Sequence, residues 1–273
     1  MRKTFTYGHV SGIPLRVHWN WFPVAVLIAF CFSVGYFPLR DSGWTVGLYW
    51  LVGVVTTFLF FGSVLIHELA HALVAVREGV GVNSITLFIL GGVAHIANHP
   101  PTAKSDFRIV AAGPFASLSL GMICFAAAAA AADTPVIREV FHYLSFMNFM
   151  LAGFNLIPGF PLDGGRIIRA VLWQLTGSLQ RATRMAALGG FLIAALFTTA
   201  GTGLFLSGSA YSGSWSVFIG LFLAYISYDS QRREGPLKTA AGPLRTTGPL
   251  PLTVRSADAV RSAASKLETS QGA

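Results

Sequence analysis

Long apolar runs separated by short polar segments dominate the first 230 residues of this chain. A helix needs about 20 predominantly apolar residues to cross the hydrocarbon core of a bilayer. The pattern therefore predicts six membrane-spanning helices, each ended by Pro, Gly or charged residues. Their approximate bounds are 21–38, 44–76, 107–132, 136–157, 179 or 184 to 206, and 215–228.

Two other segments lack spanning runs. Residues 79–106 are rich in Gly and β-branched residues, and their apolar stretches are too short to cross a membrane. Such a pattern favours a re-entrant β-hairpin, which is tolerated at membrane depth only where it packs on protein or lines a cavity. Residues 1–20 resemble an interfacial segment with strand character. The fold class predicted is an all-α membrane protein with six transmembrane helices and a small re-entrant β-hairpin or sheet.

The second apolar run contains the sequence His-Glu-x-x-His, with His67, Glu68 and His71. Residues four apart lie on one face of a helix, so the two imidazoles can bind one metal ion. Glu68 lies one position further round, where it can reach a water on that metal but is not placed as a third ligand. Two nitrogen ligands and a general base are what a zinc peptidase needs.

A solvated polar face is the ordinary alternative for such a motif. Here the motif lies within an apolar membrane segment, where ionisable residues are costly and mark functional sites by default. The functional interpretation is therefore preferred.

A second polar cluster follows the predicted fourth span, in the sequence NLIPGFPLDGG at 155–165. Asp163 has two interpretations: an N-cap of the short helix that follows, or the third protein ligand that a catalytic zinc site usually has. Asn155 is either a helix C-cap or a hydrogen-bond donor to a reacting carbonyl. Both alternatives stay open on the residues alone.

Gly91 and Gly92 lie in the predicted hairpin. Paired glycines let another backbone approach closely, and a strand edge beside a metal site can pair with an extended substrate. A plain glycine turn explains them equally well. His95 and His99 are also four apart, but on a Gly- and Pro-punctuated stretch, so they are not expected to bind the metal.

The charge distribution predicts topology. Only 11% of the residues are charged, and the net charge is +8. In the six-span arrangement, 17 of the 19 Lys and Arg residues lie on one side, and only Arg40 and Arg138 lie on the other. The positive-inside rule then places both termini in the cytoplasm of a multi-pass cell-membrane protein. The positive charge thus reports topology, and no nucleic-acid partner is expected.

The composition changes after residue 230. Residues 231–250 are rich in Pro, Gly and Thr and predict a linker, whereas residues 251–273 form a tail with strand and amphipathic helix patterns. Residues 1–230 are then one intramembrane metalloprotease domain. The tail is too small to fold alone, which predicts either a disordered tail or the cut start of a cytoplasmic domain.

The motifs at 67–71 and 155–165, with Gly91-Gly92 and the Ala-Gly-Pro at 112–114, resemble the site-2 protease family of zinc intramembrane metalloproteases. The resemblance implies one Zn²⁺ per chain on His67, His71 and Asp163, Glu68 as the base, and Asn155 helping to hold the substrate. Ser117 departs from the family, where an amide often follows the Ala-Gly-Pro. The tail is similar to the start of a cystathionine-β-synthase (CBS) domain, which implies nucleotide binding only through a truncated module.

Two functions follow as hypotheses. The first is hydrolysis of peptide bonds in single-pass transmembrane substrates within the lipid bilayer, with Glu68 activating a zinc-bound water and Gly91 and Gly92 contacting the substrate. The second is a non-proteolytic membrane protein, a metal transporter or scaffold, that keeps the metal site. The sequence leaves a homodimer open.

Overall fold

The computed structural model describes residues 4–88, 91–96, 100–159 and 162–233, with side chains for all of these except 96 and 229–233. It divides the chain into two units, Met1–Arg233 and Glu234–Ala273. The second unit lies outside the described residues. The predicted linker and CBS-like tail therefore stay predictions.

The described elements are mostly helical. The strands are β1 (Thr4–Val10), β2 (Ile13–His18), β3 (Val82–Phe88) and β4 (Gly91–Ile96). The helices are α1 (Trp21–Phe30), which continues through a π-helical segment (Cys31–Tyr36) into α2 (Phe37–Arg40), then α3 (Val46–Arg77), α4 (Ala103–Ala130), α5 (Pro135–Asn155), α6 (Asp163–Thr176), α7 (Leu179–Leu206) and α8 (Ala210–Arg233).

Five segments of the described chain are long and apolar enough to cross a membrane, which confirms a multi-pass membrane protein. They are Trp21–Arg40, Val46–Arg77, Ala103–Ala130, Leu179–Leu206 and Ala210–Tyr228. The expected fourth span, the 21-residue helix α5, is not among these five, so the described chain has five such segments where six were predicted. Arg138, Glu139 and His142 lower the hydropathy of the first half of α5.

The small sheet is larger than the predicted hairpin. Its strand order is β1-β2-β3-β4, with antiparallel pairs at both ends and a parallel β2–β3 pair at the centre. Leu15 pairs with Ile85 across the central pair. The inward side chains Ile13, Leu15 and Ile85 pack with Ala72 of α3 in one buried cluster. The sheet therefore covers the C-terminal half of α3, where the His-Glu-x-x-His lies.

Helices α7 and α8 form a tight antiparallel hairpin. A Cβ placed on Gly213 of α8 would lie 2.4 Å from the Phe205 nitrogen and 2.8 Å from the Gly201 oxygen, both backbone atoms of α7. Small residues at such crossings let two membrane helices approach closely, and this close approach makes up for the weak hydrophobic drive between helices in lipid.

Gly213→Ala is expected to destabilise this hairpin by about 1–3 kcal/mol, because the added methyl group meets backbone that cannot rotate away. The measurement is thermal unfolding of the purified protein in detergent, followed by circular dichroism. Gly203→Ala is the matched control, since a Cβ on Gly203 of α7 meets nothing within 4 Å. Equal melting temperatures for the two variants would contradict the close helix contact.

Candidate metal centre

Helix α3 presents both histidines of the motif on one buried face. Thr45 caps its N-terminus by accepting a hydrogen bond from the Leu48 N–H, and the helix then runs without interruption for 32 residues. His67 and His71 are buried. Their Nε2 atoms lie 3.2 Å apart, as the spacing of four residues predicts.

Asp163 comes to the same point from a distant part of the chain. It is the first residue of α6, and its Oδ2 lies 3.2 Å from Nε2 of His67 and 3.2 Å from Nε2 of His71. The N-cap of α6 is Leu162, with no side-chain cap, so the N-cap interpretation of Asp163 is wrong. Burial raises the pKa of the Asp163 carboxyl, but the two imidazoles beside it lower this pKa by more, so that it lies well below its usual range.

These three atoms fit a small divalent cation. They form a triangle with edges of 3.2 Å. The centre of such a triangle lies about 1.8 Å from each corner, so an ion slightly out of the plane meets the distances of about 2.0–2.2 Å that Zn²⁺ keeps to imidazole and carboxylate ligands. Among the described residues, His67, His71 and Asp163 are the group of His, Cys, Asp or Glu with this spacing. Two nitrogens and one anionic oxygen are a donor set that suits zinc.

Helix α4 holds the far side of both imidazole rings. Nδ1 of His71 lies 2.7 Å from the backbone oxygen of Ile109, and Nδ1 of His67 lies 2.9 Å from Oγ of Ser117. Each Nδ1 therefore has a partner, and the Nε2 atoms face the proposed ion. Such contacts fix the ring orientation and tautomer of metal-binding histidines.

Gly113 lies between these two contacts on the same face of α4. A Cβ at Gly113 would lie 2.1 Å from Nε2 of His71 and 2.7 Å from Nε2 of His67. The glycine of the Ala-Gly-Pro therefore leaves room for the imidazoles and for what they bind.

The roles of Ile109 and Ser117 were not predicted. Ile109 contributes its backbone oxygen, which leaves no signal in the sequence. Ser117 contributes its side chain, and its spacing of four residues from Gly113, which puts both on one face of a helix, is the signal that could have found it.

Glu68 faces a cavity of about 310 Å³ beside the ligand cluster. His67, Gly91, Gly92 and Asn155 also line it. A Cβ on Gly92 would lie 2.4 Å from Cγ of Glu68, so strand β4 passes directly against this side chain. Gly91 has a φ of +126°, a conformation that favours glycine. The structure thus brings the predicted base and the predicted substrate-contacting residues to one cavity.

Asn155 is the last residue of α5 and is half-buried. Its Nδ2 donates a hydrogen bond of 3.0 Å to the backbone oxygen of Leu151, within its own helix. Its contact with a reacting carbonyl stays a prediction.

His95 lies on β4, is exposed, and lines a different cavity with Arg16 and His18. His99 lies outside the described residues.

Ser117→Ala is expected to weaken zinc binding by about 10- to 100-fold, because the His67 ring loses the partner that orients it. Competition of the purified protein with a chelator of known affinity measures this. Ser119→Ala is the matched control, since Ser119 is half-buried on the same helix and its hydroxyl donates to the Phe115 oxygen. Equal zinc affinities in the two variants would rule out an orienting role for Ser117.

Comparison with known proteins agrees with this geometry. The model of Peptidase family M50 matches residues 55–136 and 126–197, which include all three candidate ligands. The chain is 36% identical over 246 residues to Rip3 of Mycobacterium tuberculosis, covering 89% of this chain and 62% of that protein. It is 35% identical over 178 residues to zinc metalloprotease MJ0392 of Methanocaldococcus jannaschii, covering 65% of this chain and 48% of that protein.

The solved structure of the site-2 protease from Methanocaldococcus jannaschii superposes with a TM-score of 0.51 at 26% identity, covering 83% of this chain and 94% of that one. By contrast, the chain spans about three fifths of the length of Rip3. The resemblance found in the sequence is confirmed, because the family model covers more than half of the chain: this protein belongs to Peptidase family M50.

Proposed function

We propose that this protein is an intramembrane zinc endopeptidase that hydrolyses peptide bonds of transmembrane proteins. The observation that carries the proposal is the meeting of His67, His71 and Asp163 within 3.2 Å of one another, next to the cavity that Glu68 faces. A named zinc metalloprotease among the relatives and a solved site-2 protease with the same fold support it.

In this proposal His67, His71 and Asp163 hold one Zn²⁺. When bound there, zinc supplies a Lewis acid that polarises the scissile carbonyl and makes water a nucleophile near neutral pH. The Asp163 carboxylate carries a negative charge that partly neutralises the positive charge of the ion. The contacts of the two Nδ1 atoms with Ser117 and the Ile109 carbonyl orient the rings so that their Nε2 atoms face the ion.

Glu68 carries the proton in this mechanism. Its carboxylate takes a proton from the attacking water and passes it to the leaving amine. The position suits both steps, because Glu68 follows His67 directly and faces the same cavity. Strand β4 passes close to its side chain at Gly92, which limits how far the carboxylate can move away.

The substrate is proposed to bind as an extended strand along β4. A transmembrane helix uses its own carbonyls in hydrogen bonds, so it must unwind before a peptide bond can be attacked. Within the described residues β4 is an edge strand of the sheet, and its free edge can replace the hydrogen bonds that the substrate loses. Gly92 leaves room for the Glu68 side chain beside this strand, and Gly91 lines the same cavity.

The orientation follows from the charges, and it rests on α5 crossing the membrane as a sixth span beside the five apolar segments. In that arrangement 17 of 19 Lys and Arg residues lie on one side, so that both termini face the cytoplasm and the cleavage site lies in the cytoplasmic half of the cell membrane. Nucleotide binding through a CBS domain and homodimer formation stay predictions. No observation favours a transporter or a scaffold over a peptidase.

Glu68→Gln is expected to lower cleavage of a transmembrane substrate by about 10²- to 10⁴-fold, because the amide cannot accept the proton of water. Zinc content should stay at one ion per chain, since Glu68 is not a ligand. The two measurements are turnover in proteoliposomes and metal analysis of the same preparation. Glu78→Gln, at the end of the same helix, is the control. Unimpaired turnover would remove Glu68 from the mechanism.

Gly92→Ala is expected to lower turnover by about 10²-fold, because the added methyl group displaces the Glu68 side chain by an ångström or so. Zinc affinity should not change. Gly62→Ala is the control, since a Cβ at Gly62 of α3 meets nothing within 4 Å. If Gly92→Ala were as active as Gly62→Ala, the close passage of β4 over Glu68 would have no role in catalysis.

A further inference from the structure

A buried ion pair joins α4 to α6 away from the metal cluster. Nη2 of Arg169 lies 2.9 Å from Oδ2 and 3.2 Å from Oδ1 of Asp106, so one nitrogen contacts both carboxylate oxygens. Asp106 is fully buried and Arg169 is 5% exposed. The sequence motifs do not include either residue.

Burying two charges is expensive, and a buried ion pair is weak evidence for extra stability. Its better-attested role is to fix register between the elements that it joins. Its geometry is specific here, because the two carboxylate oxygens and one guanidinium nitrogen meet at hydrogen-bond distance. The pair therefore defines one position of α6 along α4.

Asp106 belongs to the same face of α4 that holds the histidines. The positions 106, 109, 113 and 117 are spaced by three or four residues, so they lie along one side of the helix. Ile109 and Ser117 hold His71 and His67 of α3, and Asp106 holds Arg169 of α6. One face of α4 thus sets the positions of both helices that carry metal ligands.

Helix α6 is also restrained at its start. A Cβ on Gly164 would lie 2.3 Å from the Leu156 oxygen and 2.4 Å from the Ile157 oxygen, so the first turn of α6 packs directly on the backbone after α5. This contact limits how close α6 comes, and the ion pair at Arg169, five residues later, limits its rotation and sliding. Asp163 directly precedes Gly164, so both restraints help to set where its carboxylate lies.

We propose that Asp106 and Arg169 are positioning residues for the metal ligand Asp163, acting through the placement of α6 and without contact to the ion. This inference rests on the proposed zinc site. Without Arg169, the nearest cation to Asp106 among the described ion pairs is Arg166, 3.9 Å away and one turn earlier on α6. Asp106 then draws Arg166 inward, α6 turns, and the Asp163 carboxylate leaves the two Nε2 atoms.

The test compares zinc binding by the purified full chain in detergent for wild type, Arg169→Met, Arg169→Lys and Arg108→Gln. The zinc Kd is measured by chelator competition, and the ligand geometry by the visible absorption of the Co²⁺-substituted protein. Arg108 is the matched control, because it forms an exposed ion pair with Glu78 from the same turn of α4. Circular dichroism reports whether each variant is folded.

Arg169→Met is expected to raise the zinc Kd by about 10- to 100-fold, as loss of an outer contact typically does, and to change the Co²⁺ spectrum. Arg169→Lys, which keeps the charge, should show a smaller rise, and Arg108→Gln none. If Arg169→Met does not fold, the double variant Asp106→Leu with Arg169→Met replaces it, since no charge is then left buried and unpaired.

The positioning role would be overturned if folded Arg169→Met protein showed the zinc Kd and Co²⁺ spectrum of wild type. The same result in the double variant, where that replaces Arg169→Met, would also overturn it. Either result would leave the zinc site intact. A wild-type protein that binds no zinc would instead overturn the proposed function, and this inference with it. The two failures are therefore distinguishable in one set of measurements.

Discussion

The structure depends on one constraint: two imidazoles and a carboxylate are buried together in a membrane protein, so every polar atom among them needs a partner. The Nδ1 atoms meet Ser117 and the Ile109 carbonyl. The two Nε2 atoms and Oδ2 of Asp163 meet one another at 3.2 Å. A shared cation satisfies all three atoms at once, which makes this the place where the chemistry of the protein is concentrated.

The rest of the fold brings distant pieces of chain to that point. His67 and Asp163 are separated by 96 residues, and α4 lies between them in sequence and contacts both of their helices. The four-stranded sheet packs on the C-terminal half of α3 and brings Gly92 against Glu68. Rigid helices thus hold the ligands, whereas a strand edge, which can accept another strand, borders the cavity.

The sequence predicted the features that are local. The spacing of His67 and His71 follows from helix geometry, and the apolar runs predicted the helices because each run is continuous. The residues alone left Asp163 as either an N-cap or a ligand, since the two look alike in sequence, and the family resemblance was needed to make it a zinc ligand. The polar residues at the start of α5 were present in the sequence, but the six-span pattern gave them too little weight.

What could not be predicted depends on contacts between distant elements. The parallel pairing of β2 with β3 joins residues about 70 positions apart, and no local pattern encodes such a register. The carbonyl of Ile109 is a backbone atom, so residue identity does not mark it. Nothing in the sequence marks Asp106 and Arg169 as partners, and only the packing of α4 against α6 gives them a shared role.

The most direct test of the central claim is X-ray absorption at the zinc edge on the purified protein. The account predicts one zinc per chain with two imidazole nitrogens and carboxylate oxygen in its first shell, at about 2.0–2.2 Å. In Asp163→Asn the imidazole signal should remain while the carboxylate contribution is lost. Zinc coordinated by sulfur, by a single imidazole, or unchanged in Asp163→Asn would contradict it.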